Sequence, residues 1–155
     1  MASFTIFRSM QIAAPAATVH ALISDYRCWV DWSPWEGIDP NLQRTYTGPE
    51  AGVGAKYAWV GNKKVGSGNM ETTADAPDRI DIRLEFTAPW KAVNHTTFEL
   101  IENAGTTTVT WTMTGQHEGL RGHLMRLMPV EKFVGRDFEK GLAQLKARAE
   151  GAAAS

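Results

Sequence analysis

The chain has 155 residues, enough for one domain with its own hydrophobic core and too few for two. Hydrophobic residues make up 43% and charged residues 21%, and 16 basic side chains stand against 17 acidic ones for a formal net charge of -1. That balance leaves no electrostatic footprint for a phosphate backbone or an anionic bilayer, which excludes nucleic acid and stable membrane association as partners.

Cys28 is the only cysteine, so no disulfide can close within the chain. The opening Met1-Ala2-Ser3-Phe4 lacks the charged and apolar regions of a signal peptide, and no apolar run approaches the ~18 residues of a membrane-spanning helix. A cytoplasmic location is expected. The 6 Trp, 6 Phe, 3 Tyr and 6 Met stand out. Several tryptophans in a small domain imply an unusually bulky core or the lining of a cavity.

In chain order, residues 4–12 alternate as an opening strand, with Ile6, Met10 and Ile12 on one face. Pro15 suits the first turn of a helix, in which Val19, Leu22 and Ile23 recur at helical spacing up to Ser24. Residues 25–32 read as a second short helix, running into the turn-rich Ser33-Pro34-Trp35-Glu36-Gly37. Strands follow at 42–47, 55–60, 65–74, 79–87, 93–102 and 106–116, each bounded by turn residues, with Asn103-Ala104-Gly105 as a hairpin signal. Ile80, Ile82, Leu84 and Phe86 alternate with Asp81, Arg83 and Glu85, and Val109, Trp111 and Met113 with Thr108, Thr110, Thr112 and Thr114. Such alternation belongs to an antiparallel sheet with one buried and one solvated face.

A long helix is predicted over 130–149, with an apolar stripe of Phe133, Val134, Phe138, Leu142 and Leu145. Gly135 and Gly141 each cost this helix roughly 1 kcal/mol relative to Ala. They either allow a close approach or are simply tolerated. Residues 151–155 read as a disordered tail, which leaves a domain of 1–150.

The chemistry of sites is sparse. His20, His95, His117 and His123 fall at spacings that match no metal motif, so neither a metal nor a cofactor is expected. No nucleophile elbow, phosphate-binding loop or dinucleotide fingerprint occurs. Arg8, Asp31, Glu36, Asp39 and Asn94 are candidate acid–base or polar groups. Arg8 alternates in phase with Ile6 and Met10, which directs a cation toward the buried side, where it needs a carboxylate or an anion.

The succession Trp32-Ser33-Pro34-Trp35, Asp39-Pro40-Asn41, Thr47-Gly48-Pro49, Gly52-Val53-Gly54-Ala55, Trp59-Val60-Gly61-Asn62 and Gly66-Ser67-Gly68-Asn69-Met70 carries a resemblance. It continues through Thr108-Val109-Thr110-Trp111-Thr112-Met113-Thr114-Gly115 and Asp137-Phe138-Glu139-Lys140-Gly141-Leu142. From about residue 4 to 148 the chain resembles the START-like (SRPBCC) superfamily, in its polyketide cyclase/dehydrase and lipid-transport branch. The resemblance implies an α+β helix-grip fold, a curved antiparallel sheet wrapped around a long C-terminal helix, with two short helices after the first strand. It also implies an internal cavity between sheet and helix, of roughly 300 Å³ or more for a drug-sized ligand.

Carried onto this sequence, the resemblance places Tyr57, Trp59, Met70, Leu84, Phe86, Phe98, Trp111, Met113, Phe138 and Leu142 on the cavity side, with Trp32 and Trp35 near one mouth. Leu120, Leu124 and Leu127 or Met128 share one face of a short helix before Pro129. This segment, with the Met125 side chain, is expected to form a lid or a fixed cap together with the Trp32–Trp35 loop. The implied function is binding or carriage of a small, largely apolar or aromatic molecule. A cyclase or dehydratase acting on a polyketide-like or aromatic substrate and a protein-interaction module stand as alternatives.

Overall fold

The computed structural model describes residues 2–88, 91–117 and 130–154. Strand β1 (Ala2–Ile12) leads through Pro15 into helix α1 (Ala16–Ser24). Proline cannot cap the helix with its side chain. The Glu102 carboxylate reaches across and accepts from the Ala16 N–H at 2.7 Å, setting a negative charge at the helix N-terminus.

Tyr26–Asp31 then forms a 3-10 helix rather than an α-turn, capped by the Asp25 carboxylate on the Arg27 N–H. Trp32 caps its C-terminus, its N–H donating to the Trp29 carbonyl, and the two rings come to 4.5 Å between centroids. Both indoles fold back on α1, Trp29 donating to the Ile23 carbonyl at 2.9 Å and Trp32 to the Leu22 carbonyl at 2.8 Å. They satisfy carbonyls that the end of α1 leaves without helical partners.

The remaining strands are β2 (Gln43–Thr47), β3 (Lys56–Val60), β4 (Ser67–Ala76), β5 (Arg79–Ala88), β6 (Ala92–Asn103) and β7 (Thr106–His117). They pair antiparallel with β1 in one open, curved sheet of order β1-β7-β6-β5-β4-β3-β2. Register shifts in β4 at Ser67/Gly68 and Thr72/Ala74 mark its bends. The β6–β7 hairpin turns on Ala104 and Gly105, both at positive φ, the conformation that a tight two-residue turn demands.

The predicted alternation is realised: Ile80, Ile82, Val109 and Trp111 are buried on the concave face. On the convex face Thr97 donates to Asp81, which also accepts from Arg79.

Helix α2 (Val130–Ala154) lies in the grip of the sheet, with Phe138, Leu142, Leu145 and Ala149 fully buried along one stripe. The expected loose tail is instead helical through Ala154, because alanine is the best helix former and extends an existing helix without a new nucleus. The helix runs along β1. Gly135 meets Arg8, Lys146 Nζ donates to the Gln11 carbonyl at 3.3 Å, and the Ala13 N–H donates to Glu150 at 2.9 Å.

Both helix glycines are sites of close approach. A Cβ at Gly135 would fall 2.2 Å from the Arg8 guanidinium, and one at Gly141 would fall 2.8 Å from Pro34 Cδ and 3.0 Å from Trp111. Gly151 has nothing within 4 Å. Gly141→Ala is therefore expected to lose about 1–3 kcal/mol to overpacking, whereas Gly151→Ala should gain a few tenths to about 1 kcal/mol from helix propensity. Urea denaturation of the pair checks this, and equal shifts in the same direction would contradict the packing at Gly141.

Candidate functional site

The expected site residues fall into two groups along α2. Trp32, Trp35, Phe98, Trp111, Phe138 and Leu142 form a solid aromatic block. Trp111 stacks on Phe138 with centroids 4.1 Å apart and planes at 8°, and on Phe98 at 4.9 Å. Trp29, Trp32 and Trp35 close around them edge-on. At this end the expected space between sheet and helix is filled by rings. Trp32 is fully buried, and the partly buried Trp35 donates its N–H to Asp137 of α2 at 3.2 Å. Their rings lie against the fixed Trp111–Phe138 stack, which holds the short loop between them in the core.

The second group is Tyr57, Trp59, Met70, Leu84, Phe86 and Met113, on the concave face of β3, β4, β5 and β7. The register aligns them with residues absent from the expected set. One row across the sheet reads Phe4, Gly115, then Asn94, Leu84, Met70 and Tyr57. The next reads Ile6, Met113, Thr96 and Ile82.

Arg8 is level with Gly135 on β1, whereas Trp111 of the same row lies against Phe138 and Gly141, so the helix crosses the sheet obliquely. Burial separates the two groups. Tyr57, Met70, Leu84 and Met113 are 9%, 8%, 8% and 7% exposed, whereas Phe98, Phe138 and Leu142 are at 0%. Met125 and the expected lid at 120–128 lie outside the described residues.

The sheet accommodates large side chains here by omitting others. A Cβ at Gly68 would fall 2.7 Å from the Trp59 ring, and one at Gly115 would fall 2.2 Å from Asn94 Oδ1 and 2.7 Å from the Phe4 ring. Trp59 lies over Gly68 between Tyr57 and Phe86. The indole N–H groups of Trp59 and Trp111 are both buried without a hydrogen-bond partner.

The ionisable candidates disperse. Arg8 faces the helix, with Nε 3.9 Å from Glu139 and its guanidinium donating to the Phe7 carbonyl. Asp31 pairs with Arg148, Glu36 with Arg44, and Asp39 accepts from the Asn41 and Asn62 N–H groups. Burial, reinforced by Glu36 and Tyr46, pushes the Tyr57 phenol up to about 12 against the opposing pull of Arg44. It remains neutral at physiological pH. Burial also raises the Cys28 thiol, with Asp25 and Asp31 adding to the effect, so this cysteine is not an activated nucleophile.

A groove of about 470 Å³ lies elsewhere, behind α1, lined by Ala16, His20, Asp75, Pro77 and Glu102. Its polar groups hold the fold: Asp75 accepts from Ser24 at 2.6 Å and meets His20 at 2.6 Å. No group of three or more His, Cys, Asp or Glu side chains suited to a metal occurs among the described residues. Among the same residues no helix is long and apolar enough to cross a membrane.

The profile of a family described as polyketide cyclase/dehydrase and lipid transport matches residues 3–150. The chain belongs to that family. No curated protein matches in sequence. Among solved structures, protein CV1439 from Chromobacterium violaceum superposes with a TM-score of 0.65 at 19% identity, covering 94% of this chain and 96% of that one. The Aha1 dimer from Colwellia psychrerythraea gives 0.68 at 17% identity, over 95% and 96%. DynU16, from the dynemicin biosynthetic locus, gives 0.64 at 15% identity over 96% of this chain and 48% of its own. At these identities the likeness is one of fold, and it establishes the helix grip for this family member.

Two outcomes are expected from the site. Trp111→Ala should cost about 3–5 kcal/mol in urea unfolding, since its ring is stacked on both faces; a midpoint like that of the parent would rule out the packed block. The second concerns alkali. Tyr26, Tyr46 and Tyr57 all have phenols raised by burial above the ordinary value of 10.0. A group whose folded pKa exceeds its unfolded one contributes stability below the unfolded value and loses it as pH rises through the folded value. Stability should therefore fall between pH 10 and about 12, with little tyrosinate absorbance at pH 10, where a free phenol is half ionised. A smooth tyrosinate titration centred on 10 without loss of structure would contradict the burial of these phenols.

Proposed function

We propose that this chain binds or carries one small, largely apolar molecule on the concave face of the sheet, against Tyr57, Met70, Leu84 and Met113. One observation carries the reading: Tyr57, Met70, Leu84 and Met113 are 9%, 8%, 8% and 7% exposed, whereas Phe98, Phe138 and Leu142 have none. Apolar side chains on different strands that share such exposure are what the wall of a space would present. Membership of a family described in terms of polyketides and lipids supports an apolar occupant. The acid–base candidates are held one by one in ion pairs and turns, which favours binding over turnover. Single-domain organisation over 1–150 and a cytoplasmic location complete the reading.

Native mass spectrometry of the purified protein and titration with 1-anilinonaphthalene-8-sulfonate test it. A retained small molecule, or saturable probe fluorescence at one site per chain, is expected. Leu84→Trp, which fills the space, should weaken the probe about tenfold or more with its thermal midpoint little changed. If no molecule is retained and no saturable binding is found, the reading fails.

A further inference from the structure

The row that crosses the proposed site contains one side-chain amide. Asn94 shares the concave face with Thr96 and Phe98 and pairs with Leu84 of β5. The pairing of His95 with Thr114 brings Gly115 opposite it on β7. The amide does not point away from the sheet. Its Oδ1 lies 2.2 Å from where a Cβ of residue 115 would be, and the Phe4 ring lies 2.7 Å from the same point. Gly115 is therefore the seat of the Asn94 amide, with Phe4 on its far side.

Among the described residues no hydrogen bond holds that amide. Asn94 is half-buried, so water can reach its amide, and a ligand that covered it without offering a polar atom would strip that water and leave the group unpaired. A second donor on the same face does lack a partner: the Trp59 N–H, buried and without an acceptor, lies beside Phe86. A pure hydrocarbon would leave both groups unpaired, whereas an oxygenated ring system would pair at least one of them.

We propose that Asn94 is the polar anchor of this site, hydrogen-bonding a carbonyl or hydroxyl oxygen on a ligand whose flat apolar body lies over Leu84, Met70 and Met113, and that Gly115 is the positioning residue that keeps the amide in place. The inference rests on the binding reading of the same face and adds the class of ligand: an oxygen-bearing ring compound rather than a hydrocarbon chain.

Fluorene and 9-fluorenone test it, since they share a tricyclic shape and differ by one carbonyl. Their affinities are measured by quenching of tryptophan emission for the parent protein, Asn94→Leu, Asn94→Asp and Gly115→Ala. The parent should bind fluorenone about tenfold more tightly than fluorene, the worth of one neutral hydrogen bond. Asn94→Leu should bring the two within about twofold by weakening fluorenone alone. Asn94→Asp keeps the volume but presents a carboxylate to the carbonyl, and should also abolish the preference. Gly115→Ala, which displaces the amide, should reduce it. The carbonyl stretching frequency of bound fluorenone should be lowered in the parent and revert in Asn94→Leu, a change that altered packing alone would not produce.

Fluorene binding by each variant reports that the site is intact, and Asn94→Asp keeps the test open if Asn94→Leu does not fold. Equal affinity of the parent for both probes overturns the anchor and leaves the binding reading standing, as does a preference that survives both Asn94 variants. If the parent binds neither probe, the binding reading falls and the anchor with it.

Discussion

The contact between Trp111 and Phe138 joins the two layers of this protein, and much of the surrounding structure follows from accommodating it. Rings 4.1 Å apart and nearly parallel bring the sheet and α2 together face to face. Offset stacking of this kind adds about 0.5–1.5 kcal/mol to the burial of two large side chains. It also imposes conditions. The helix backbone must come close, which requires glycine at 141, and Pro34 must fit into the same gap. Trp29 and Trp32 present their edges to Trp111 from one side, their indoles held by the Ile23 and Leu22 carbonyls at the end of α1.

Away from this stack the concave face is less completely buried. Arg8 marks the boundary. Its guanidinium is pressed on Gly135 and reaches Glu139, so its charge is met by the helix rather than left on the apolar wall. On one side of that row the rings are stacked and sealed. On the other, Leu84, Met70 and Met113 keep slight exposure around an amide and an unpartnered indole N–H. A family that spans polyketide chemistry and lipid transport is consistent with this division, since a rigid end preserves the fold while the other can vary.

Much of this was legible in the sequence. The alternation from Ile80 to Phe86 and from Val109 to Met113 identified the buried face, and the stripe from Val134 to Leu145 identified the gripped helix, because period-2 and period-3.6 patterns are direct projections of burial. The division of the site was not legible. Trp111 and Met113 are successive inward positions of one strand, and nothing local distinguishes the one stacked on the helix from the one that keeps slight exposure. The roles of the glycines were equally hidden, since each is defined by a residue far away in the chain: Arg8 for Gly135, Trp59 for Gly68, Asn94 for Gly115. Asn94 itself gave a signal, being out of phase with solvent-facing His95, but a polar residue on an inward parity reads as an interruption until the register supplies its neighbours. The helical tail escaped because propensity alone does not reveal that the preceding turns are anchored by Glu150 and Lys146.

The packing of the indoles also divides the protein optically. Trp29, Trp32, Trp35 and Trp111 form a chromophore cluster with successive centroids 4.5 to 6.3 Å apart, whereas among the described residues the rings beside Trp59 are those of Tyr57 and Phe86. Indoles so close couple their electronic transitions, so the cluster carries an excitonic dichroism that reports how the 29–35 segment is docked on Trp111 of β7. Among the described residues Trp59 sits outside that coupled set, so its emission and the cluster's dichroism report on two different parts of the concave face.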